Sequence, residues 1–412
     1  MRRAGSLWAL FAAVALFLSF PAPAREIAPG ADLQAAVDSL HAGDQLVLRG
    51  GTYVLGKRLR IVALGTASAP IAVKAAQGER VVIKQTNANA NIIEIAESRH
   101  FILRGLELQG GSHGVHLEDS DFITVEDCEI NHTGDAAIAA NAGGTYEDLR
   151  LLRNHIHHTD GSGEGMYLGC NEDACRVANS LIEGNHIHHT NGATVEEGDG
   201  IELKEGSYGN IIRDNVVHDT RYPGIITYGT VGNGAANIIE GNAIWNASDE
   251  DNAIQAAADA IIRNNIVLGS PIALQRNQNA RPANIEVVHN TIISDGDCIT
   301  IRDVVGAVLI ANNAVYSHDG AAIQLLSGDA ARVAIVGNVG MGGIEGAASG
   351  FSFGNGLEGD FVSAHFGGGP PIDLFPKPGS ALIGAADPGH LTRDDFNHSA
   401  REGAADVGAY KV

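Results

Sequence analysis

The segment Leu181-Ile182-Glu183-Gly184-Asn185-His186-Ile187 decides the fold, because variants of it recur along the chain. Each copy has an apolar pair, one or two further residues and an asparagine, and in every copy but the last the second residue after the asparagine is Ile or Val. Successive key asparagines are separated by 31, 30, 27, 23, 25, 23 and 25 residues. They are Asn154, Asn185, Asn215, Asn242, Asn265, Asn290, Asn313 and Asn338. Repeats of this length are typical of solenoids, in which each unit stacks on the next.

The composition of the repeat predicts strands. Its units are rich in β-branched residues and glycine and lack a helical period of 3.6 residues. A unit, or rung, of roughly 22–25 residues with one asparagine predicts an all-β, single-stranded right-handed parallel β-helix. We expect each asparagine to adopt a left-handed turn conformation and to bond through its amide to the equivalent asparagine of the next rung. Cys128 and Gly105 extend this register towards the N-terminus.

A second strand of each rung shows two-residue alternation, which separates inward from outward side chains. The expected inward column is Val115, Met166, Ile201, Ile225, Ile254, Ile272, Ile299 and Ile323. The expected outward column is His116, Ala139, Tyr167, Glu202, Ile226, Gln255, Ala273 and Thr300. A further outward column is Glu118, Asn141, Gly169, Lys204, Tyr228, Ala257, Gln275 and Arg302. This stacked outer face is a place where a long polymer could lie.

The N-terminus has the form of an export signal. Residues 1–24 contain a basic start, a short apolar run and Ala22-Pro23-Ala24 as a cleavage site, which predicts a secreted or periplasmic protein without stable membrane insertion. An uncleaved anchor is the alternative. Residues 25–345 are expected to form the β-helix domain, with a capping helix within residues 31–40, and residues 346–412 a C-terminal tail and cap. The sequence does not indicate the oligomeric state.

Charge and cysteines narrow the function. The chain has 27 Lys and Arg against 49 Asp and Glu, a formal net charge of −22, which excludes a nucleic-acid binder. An acidic polysaccharide is compatible with this charge only if a local patch or a bound cation reverses the field. Cys170 and Cys175 are close enough in sequence to form a disulfide in an exported chain. Cys128 and Cys298 are expected to be buried thiols.

The two longest rungs carry the candidate chemistry. Lys204 is the only lysine between residues 84 and 377, and it lies amid carboxylates. Glu164 and Asp199 are expected to stack, and Glu197 to join them, as a Ca²⁺ site. The cation would lower the pKa of Lys204 and suit it as a base for a proton α to a uronate carboxylate, with Tyr228 as the acid. A solvated lysine that neutralises a neighbouring glutamate is the plain alternative.

Other residues of these rungs are candidates for substrate contact: Tyr167, Glu202, Arg221, His189 and Trp245. Near-identical segments at residues 154–159 and 185–190 carry three histidines each. By register His157, His188, His218 and Trp245 stack, as do His158, His189 and Asp219. Such stacks are common structural features of β-helices; a metal site or a general acid is the less favoured interpretation.

Glu197-x-Asp199-x-x-x-x-Lys204, followed by residues 210–215, resembles the calcium- and lysine-bearing rung of the polysaccharide lyase family of chondroitinase B and alginate lyases. Residues 43–53 and 69–75 are similar to the start of that family. The resemblance implies that Glu197 and Asp199 hold Ca²⁺ and that Lys204 is the base. The family acid is an arginine of the next rung, whereas this chain has Tyr228-Gly229 at that place.

The sequence therefore predicts an exported lyase that cleaves an alginate- or glycosaminoglycan-like uronate polymer by Ca²⁺-assisted β-elimination. Three further functions stay open. The first is a glycoside hydrolase that uses Glu164, Asp199 and Glu202 as its carboxylates. The second is an enzyme that epimerises uronates, and the third is a non-catalytic glycan-binding protein of the same fold.

Overall fold

Three long parallel sheets form the body of the molecule. The computed structural model describes residues 24–247, 252–346, 349–401 and 406–412. Within these residues, sheets 1, 2 and 3 contain 13, 13 and 12 strands. The chain visits sheets 1, 2 and 3 in turn and then begins the next rung, so the all-β solenoid is confirmed. The predicted signal peptide, except Ala24, lies outside the described residues.

The strands are short and repeat along each sheet. Sheet 1 contains Arg25–Ile27, Gln45–Leu48, Ile71–Ala75, Arg99–Arg104, Asp121–Glu126, Arg150–Leu152, Leu181–Glu183, Ile211–Arg213, Asn237–Glu240, Ala260–Arg263, Ile285–Val288, Val308–Ala311 and Val333–Val336. Sheet 2 contains Gly51–Leu55, Val81–Gln85, Glu107–Gly110, Glu129–Asn131, His155–His157, His186–Thr190, Val216–Thr220, Ala243–Ala247, Ile266–Leu268, Thr291–Ser294, Ala314–Ser317, Asn338–Met341 and Phe351–Phe353. Sheet 3 contains Leu59–Ile61, Ile93–Ala96, Val115–Glu118, Ile138–Ala142, Met166–Leu168, Ile201–Leu203, Ile225–Thr227, Ile254–Ala256, Ile272–Leu274, Ile299–Ile301, Ile323–Leu325 and Ile344–Glu345.

The remaining elements are small. Thr145–Glu147 pairs with Arg176–Ala178, and Phe361–Ser363 pairs antiparallel with Asp373–Pro376. The α-helices are Leu33–Asp38 and Leu357–Asp360, and the 3₁₀ helices are Asn171–Asp173, Ala330–Arg332 and Pro388–His390. No helix among the residues described is both long and apolar enough to cross a membrane.

The predicted capping helix is confirmed as Leu33–Asp38. The Asp32 side chain accepts a hydrogen bond from the Ala35 N–H at 3.0 Å, which satisfies one of the free donors of the first helical turn. Leu33, Ala36 and Val37 are buried and belong to the same apolar cluster as the first strands of the solenoid. The helix therefore covers apolar side chains at the N-terminal end of the core.

The predicted asparagine ladder is confirmed. The Asn185 backbone N–H and side-chain Nδ2 both donate to Asn215 Oδ1, each at 2.9 Å. Nδ2 also donates to the Leu151 carbonyl at 2.8 Å, so it also binds the sheet 1 strand of the preceding rung. The same pattern links each key asparagine to the next, from Asn154 to Asn338. These side chains are buried structural groups rather than ligands.

Two details of the predicted ladder are wrong. The left-handed conformation belongs to the residue before each ladder asparagine, for example Arg153 at φ 53° and Asp214 at φ 57°. Because the preceding residue is left-handed, the asparagine side chain points towards the next asparagine of the ladder. Strand pairing of Glu107 with Glu129 also places Leu106, not Gly105, opposite Cys128. The Cys128 N–H continues the ladder by donating to Asn154 Oδ1 at 3.1 Å.

The repeated phrase spans two strands and the turn between them. Leu181–Glu183 lies in sheet 1 and His186–Thr190 in sheet 2, with Gly184-Asn185 at the turn. The second predicted strand of each rung forms sheet 3. Its expected inward column, from Val115 to Ile323, is buried in the core, and strand pairing confirms the register of the outward column, with Tyr167 beside Glu202 and Glu202 beside Ile226.

The extra residues of the two longest rungs lie in turns on both sides of sheet 3. Loops 158–165 and 191–200 lead into the sheet 3 strands Met166–Leu168 and Ile201–Leu203, and loop 169–180 follows the first of these strands. Because the insertions lie in turns, the ladder through Asn154, Asn185 and Asn215 continues without a break. The loops therefore add side chains at the edge of sheet 3 without changing its register.

The C-terminal segment packs along the outer face of sheet 2. Ile266, Leu268 and Tyr316 of that face form a second apolar cluster with Phe361 and Leu374. The Tyr316 hydroxyl donates to Asp360 Oδ2 at 2.6 Å. The domain boundary at residue 345 stays a prediction; the last strand of sheet 2, Phe351–Phe353, lies beyond it.

We expect Asn265→Ala to lower the free energy of unfolding by about 2–4 kcal/mol. The change removes the acceptor of two Asn242 donors: the Asn242 backbone N–H is left buried without this partner, and Nδ2 keeps only its bond to the Ile212 carbonyl. Urea unfolding monitored by circular dichroism measures the effect. Asn191→Ala is the matched control, because Asn191 is exposed on a loop. Equal stability of the two variants would contradict a stabilising role for the ladder.

Candidate active site

Lys204 lies at the centre of a buried polar cluster on the outer side of sheet 3. It follows the strand Ile201–Leu203 and is only 4% exposed. Its Nζ forms an ion pair with Glu202 and lies 3.3 Å from the Tyr228 hydroxyl. The ring centroids of Tyr167 and Tyr228 are 4.5 and 4.9 Å from Nζ. The alternative prediction was a solvated lysine that neutralises a neighbouring glutamate. The glutamate partner is present, but the lysine is not solvated, because both charged groups are buried.

The proton positions in this cluster follow from its charges. The Tyr228 hydroxyl donates to Glu202 Oε1 at 2.7 Å. Burial lowers the pKa of Lys204, but Glu202 and Tyr167 together outweigh burial and the pKa is raised overall. Burial and Glu202 together raise the pKa of Tyr228. In the absence of a cation Lys204 is therefore an ammonium group, which is opposite to the direction expected for a base beside calcium.

Three glutamates converge beside this lysine. Glu164, Glu197 and Glu202 each offer a carboxylate oxygen, and these oxygens lie within 4.8 Å of one another. Asp199 stacks on Glu164 as expected, because the Gly165 N–H donates to the Asp199 carbonyl at 2.8 Å. The sequence predicted Glu164, Glu197 and Asp199 as the calcium ligands and Glu202 as a substrate contact. In the structure the third member of the compact trio is Glu202 and not Asp199. Asp199 lies beside this trio. Burial raises the pKa of Asp199, and the charges of Glu202 and Glu164 raise it further.

The carboxylates have the properties of a site for a hard cation. Burial raises the pKa of Glu164 to about 7, and the charges of Glu202 and Glu197 add to this shift. Three buried oxygens, Glu164 Oε1, Asp199 Oδ1 and Glu202 Oε2, have no hydrogen-bond partner among the described residues. Ca²⁺ takes carboxylate oxygens as ligands and would satisfy such orphaned acceptors. The residues present therefore fit the expected calcium ion.

Sequence reasoning missed two residues of the cluster. Ser162 Oγ lies 2.5 Å from Glu164 Oε2 and also hydrogen-bonds Asp135 Oδ1. A hydroxyl donates only one hydrogen, so protonated Glu164 can donate to Ser162 while Ser162 donates to Asp135. This chain of bonds agrees with the raised pKa of Glu164. The signal in the sequence was the position of Ser162, two residues before Glu164 in the same inserted loop.

The structure brings only some of the expected substrate residues to this cluster. Tyr167 and Glu202 both flank Lys204. Arg221 Nη1 donates to the Val195 carbonyl at 2.6 Å and so holds the loop that carries Glu197 and Asp199. His189 and Trp245 lie on sheet 2, on the other side of the inserted loops.

The predicted disulfide is confirmed between Cys170 and Cys175. It closes the loop that follows Gly169. Gly169 packs closely against Lys204, since a Cβ added to this glycine would lie 3.0 Å from Lys204 Cβ. The loop thus restrains the backbone beside the lysine. Cys128 and Cys298 are free and buried, as expected, and burial raises the pKa of Cys128 to about 12.

Two family models match this chain. Residues 21–216 match the Pel9A-like, right handed beta helix region, and residues 182–339 match the right handed beta helix region. The chain is thus a right-handed parallel β-helix protein, as its sequence predicts. Its expected resemblance to polysaccharide lyases of this fold is confirmed by its relatives.

Three relatives illustrate the likeness. Pectate lyase PEL9 of Emericella nidulans is 35% identical over 107 residues, which are 23% of this chain and 26% of that relative. The chain thus matches about a quarter of the length of this curated relative. The crystal structure of pectate lyase Pel9A aligns with a TM-score of 0.54 at 17% identity, over 94% of this chain and 95% of the other. The catalytic unit of a GH87 α-1,3-glucanase from Streptomyces thermodiastaticus strain HF3-3 aligns with a TM-score of 0.55 at 15% identity, over 81% and 70%.

With a chelator present, we expect the buried Glu164 to lower the free energy of unfolding as the pH rises from about 4.5 to 7. Its pKa is raised in the folded state, so the folded protein binds more protons than the unfolded chain in this range. The free energy of unfolding should therefore fall by about 2–3 kcal/mol more in the wild type than in Glu164→Gln. Urea unfolding at several pH values measures this difference. Parallel pH profiles of the two proteins would contradict a neutral Glu164 at low pH.

Proposed function

We propose that this protein is a lyase that cleaves a uronate-containing polysaccharide by β-elimination, with Lys204 as the base. One observation carries the proposal. A single buried lysine on the outer side of sheet 3 lies between two tyrosine rings and a trio of glutamates with orphaned oxygens. The polysaccharide lyase relatives support the same class of reaction. Residues 1–24, as an export signal, would deliver the protein to the periplasm or the exterior, where such polymers occur.

The chain's own residues divide the proton transfers between neighbouring rungs. Lys204 takes the proton α to the uronate carboxylate, and Tyr228, whose raised pKa keeps its proton in place, donates to the leaving oxygen. Glu202 holds both groups in the resting state through its Oε1. Glu164, Glu197, Glu202 and Asp199 would hold Ca²⁺, which when bound neutralises the substrate carboxylate and the cluster's own acids.

The resting ion pair explains why a cation and the base are linked. With Glu202 free, its charge keeps Lys204 protonated. If Glu202 held a cation, less of its negative charge would act on Lys204, and the amine would lose its proton more easily. The carboxylate trio and the lysine therefore act as one unit in this proposal, in which the metal ligand Glu202 controls the state of the base.

The substrate would run along the outer face of sheet 3. Beyond the cluster, this face continues through Gln275 and Thr300 to the exposed Arg302, which line one open pocket. The guanidinium of Arg302 is well suited to bind a uronate carboxylate. We propose that it contacts a sugar several rungs from the bond that breaks.

Lys204→Ala should reduce lyase activity by at least about 10³-fold, because the general base is removed. The measurement is absorbance of unsaturated product near 235 nm on a panel of uronate polymers with calcium present. Lys84→Ala is the matched control, since Lys84 is an exposed lysine on a sheet 2 strand. Circular dichroism checks that the variant is folded. A folded Lys204→Ala enzyme with wild-type activity would refute the proposed base.

Removal of calcium with a chelator should abolish activity, and added calcium should restore it.

Glu164→Gln should weaken calcium binding by at least about tenfold, because one charged ligand becomes neutral. Isothermal titration calorimetry measures the affinity independently of turnover. Glu172→Gln, on the neighbouring disulfide loop and outside the trio, serves as the charge-matched control. Equal calcium affinity of both variants would remove these glutamates from the site.

A glycoside hydrolase is the second candidate, and one observation favours it. Glu164 has a pKa of about 7, as a general acid needs, and lies close to Glu202 within the trio. The α-1,3-glucanase with this fold shows that the architecture is compatible with hydrolysis. New reducing ends without absorbance near 235 nm would favour hydrolysis over elimination. Epimerised polymer without chain cleavage would indicate a uronate epimerase, and binding without turnover would indicate a glycan-binding protein.

A further inference from the structure

A second cluster of ligating side chains lies on sheet 2, outside the lysine cluster. His155 and His157 on one strand pair in register with His186 and His188 on the next. His155 stacks on His186 at a centroid distance of 5.2 Å, and His157 stacks on His188 at 5.2 Å. The expected column of His157, His188, His218 and Trp245 is therefore present, and His158 stacks on His189 as expected. The stack of His155 on His186 is an additional column beside them. We call these four residues, His155, His157, His186 and His188, the imidazole face.

The imidazole face brings ring nitrogens into direct contact. His155 Nε2 and His188 Nε2 are 2.8 Å apart, and the ring nitrogens of His155, His186 and His188 offer three ligand atoms within 4.8 Å. A second trio on the same face consists of Glu129, His155 and His157. With a zinc–nitrogen bond of 2.0–2.1 Å, two nitrogens of a tetrahedral zinc site are about 3.3 Å apart. Small side-chain rotations would bring the first trio to this spacing.

We propose that the imidazole face binds a divalent transition-metal ion through His155, His186 and His188. Imidazole nitrogen is a good ligand for Zn²⁺ and similar ions, whereas the oxygen-rich cluster around Glu164 suits Ca²⁺. The two sites therefore differ in ligand chemistry as well as in location. Three protein ligands on a partly exposed surface also leave a coordination position for water or for a group of a bound molecule.

Neighbouring side chains contact the proposed ligands. His218 links Asp219 to the site, since its Nδ1 contacts Asp219 Oδ2 at 2.7 Å and its Nε2 contacts His186 Nε2 at 2.9 Å. Residues that contact a ligating histidine, as His218 contacts His186, commonly orient it. The titratable groups around the face are Glu129, His132, His158, His189, His218 and Asp219.

The fold leaves this face open. The C-terminal segment covers the outer side of sheet 2 from Ile266 onward, and its Gly369 lies against the Trp245 ring. The imidazole face lies on earlier rungs, where His155, His157 and His188 are only half-buried. A metal ion can therefore reach the nitrogens from solvent without any rearrangement of the backbone.

Calorimetric titration of the full chain with Zn²⁺ as the only titrant tests this proposal. The buffer contains excess Ca²⁺ to occupy the carboxylate cluster around Glu164. The wild type should bind one Zn²⁺, and both His188→Ala and the more conservative His188→Gln should bind it at least about tenfold more weakly. Loss of a direct ligand should cost no less than loss of a residue that only orients a ligand, which is about 10–100-fold. Substitution with Co²⁺ should give visible absorption bands of nitrogen-bound cobalt in the wild type only.

Two controls make the result specific. His41→Ala removes an exposed histidine far along the chain and should bind Zn²⁺ as the wild type does. Glu164→Gln should also retain Zn²⁺ binding, because it alters only the carboxylate trio. Equal affinity of the wild type and both His188 variants would overturn the proposal. So would loss of Zn²⁺ binding in Glu164→Gln, since that result would place the ion among the carboxylates.

Discussion

The asparagine ladder is the interaction on which the rest of the structure depends. Each buried amide oxygen accepts two hydrogen bonds from the preceding rung, and its nitrogen donates back to the stack. The turn between sheets 1 and 2 would otherwise bury a backbone donor without a partner, at a cost of about 1–3 kcal/mol for each rung. Because every rung meets the next at this fixed point, a slip by one residue would turn the core side chains outward.

Most of the fold could be predicted from the sequence because the repeat allows few other arrangements. Asn185 and Asn215 mark the turn, and alternation in segments such as Ile201–Leu203 separates core from surface. Two errors were local, namely the left-handed residue and the place of Gly105. Both arise because the sequence marks the turn but does not say which of two adjacent residues bends the backbone. The path of the C-terminal segment along sheet 2 depends on contacts without a repeat, such as Tyr316 with Asp360.

The site was harder to predict, because loops and protonation decide it. Strand register was enough to place Lys204 beside Tyr228 and Glu202 beside Tyr167. It could not show that the inserted loops bury these groups, that Glu202 pairs with the lysine, or that Ser162 joins Glu164 to Asp135. Desolvation and charge pairing oppose each other at Lys204, and only the three-dimensional arrangement shows which effect is larger.

The confinement of the two long insertions to turns has an evolutionary consequence. Loops 158–165 and 191–200 carry Glu164, Glu197 and Asp199, while the ladder beneath them is the same as in rungs without insertions. Most of the acidic side chains of the site and the structural ladder are therefore encoded in separate parts of the sequence. Exchange of these loops alone could diversify the reaction within one lineage, since the solenoid would tolerate new loops as modular grafts on an unchanged scaffold.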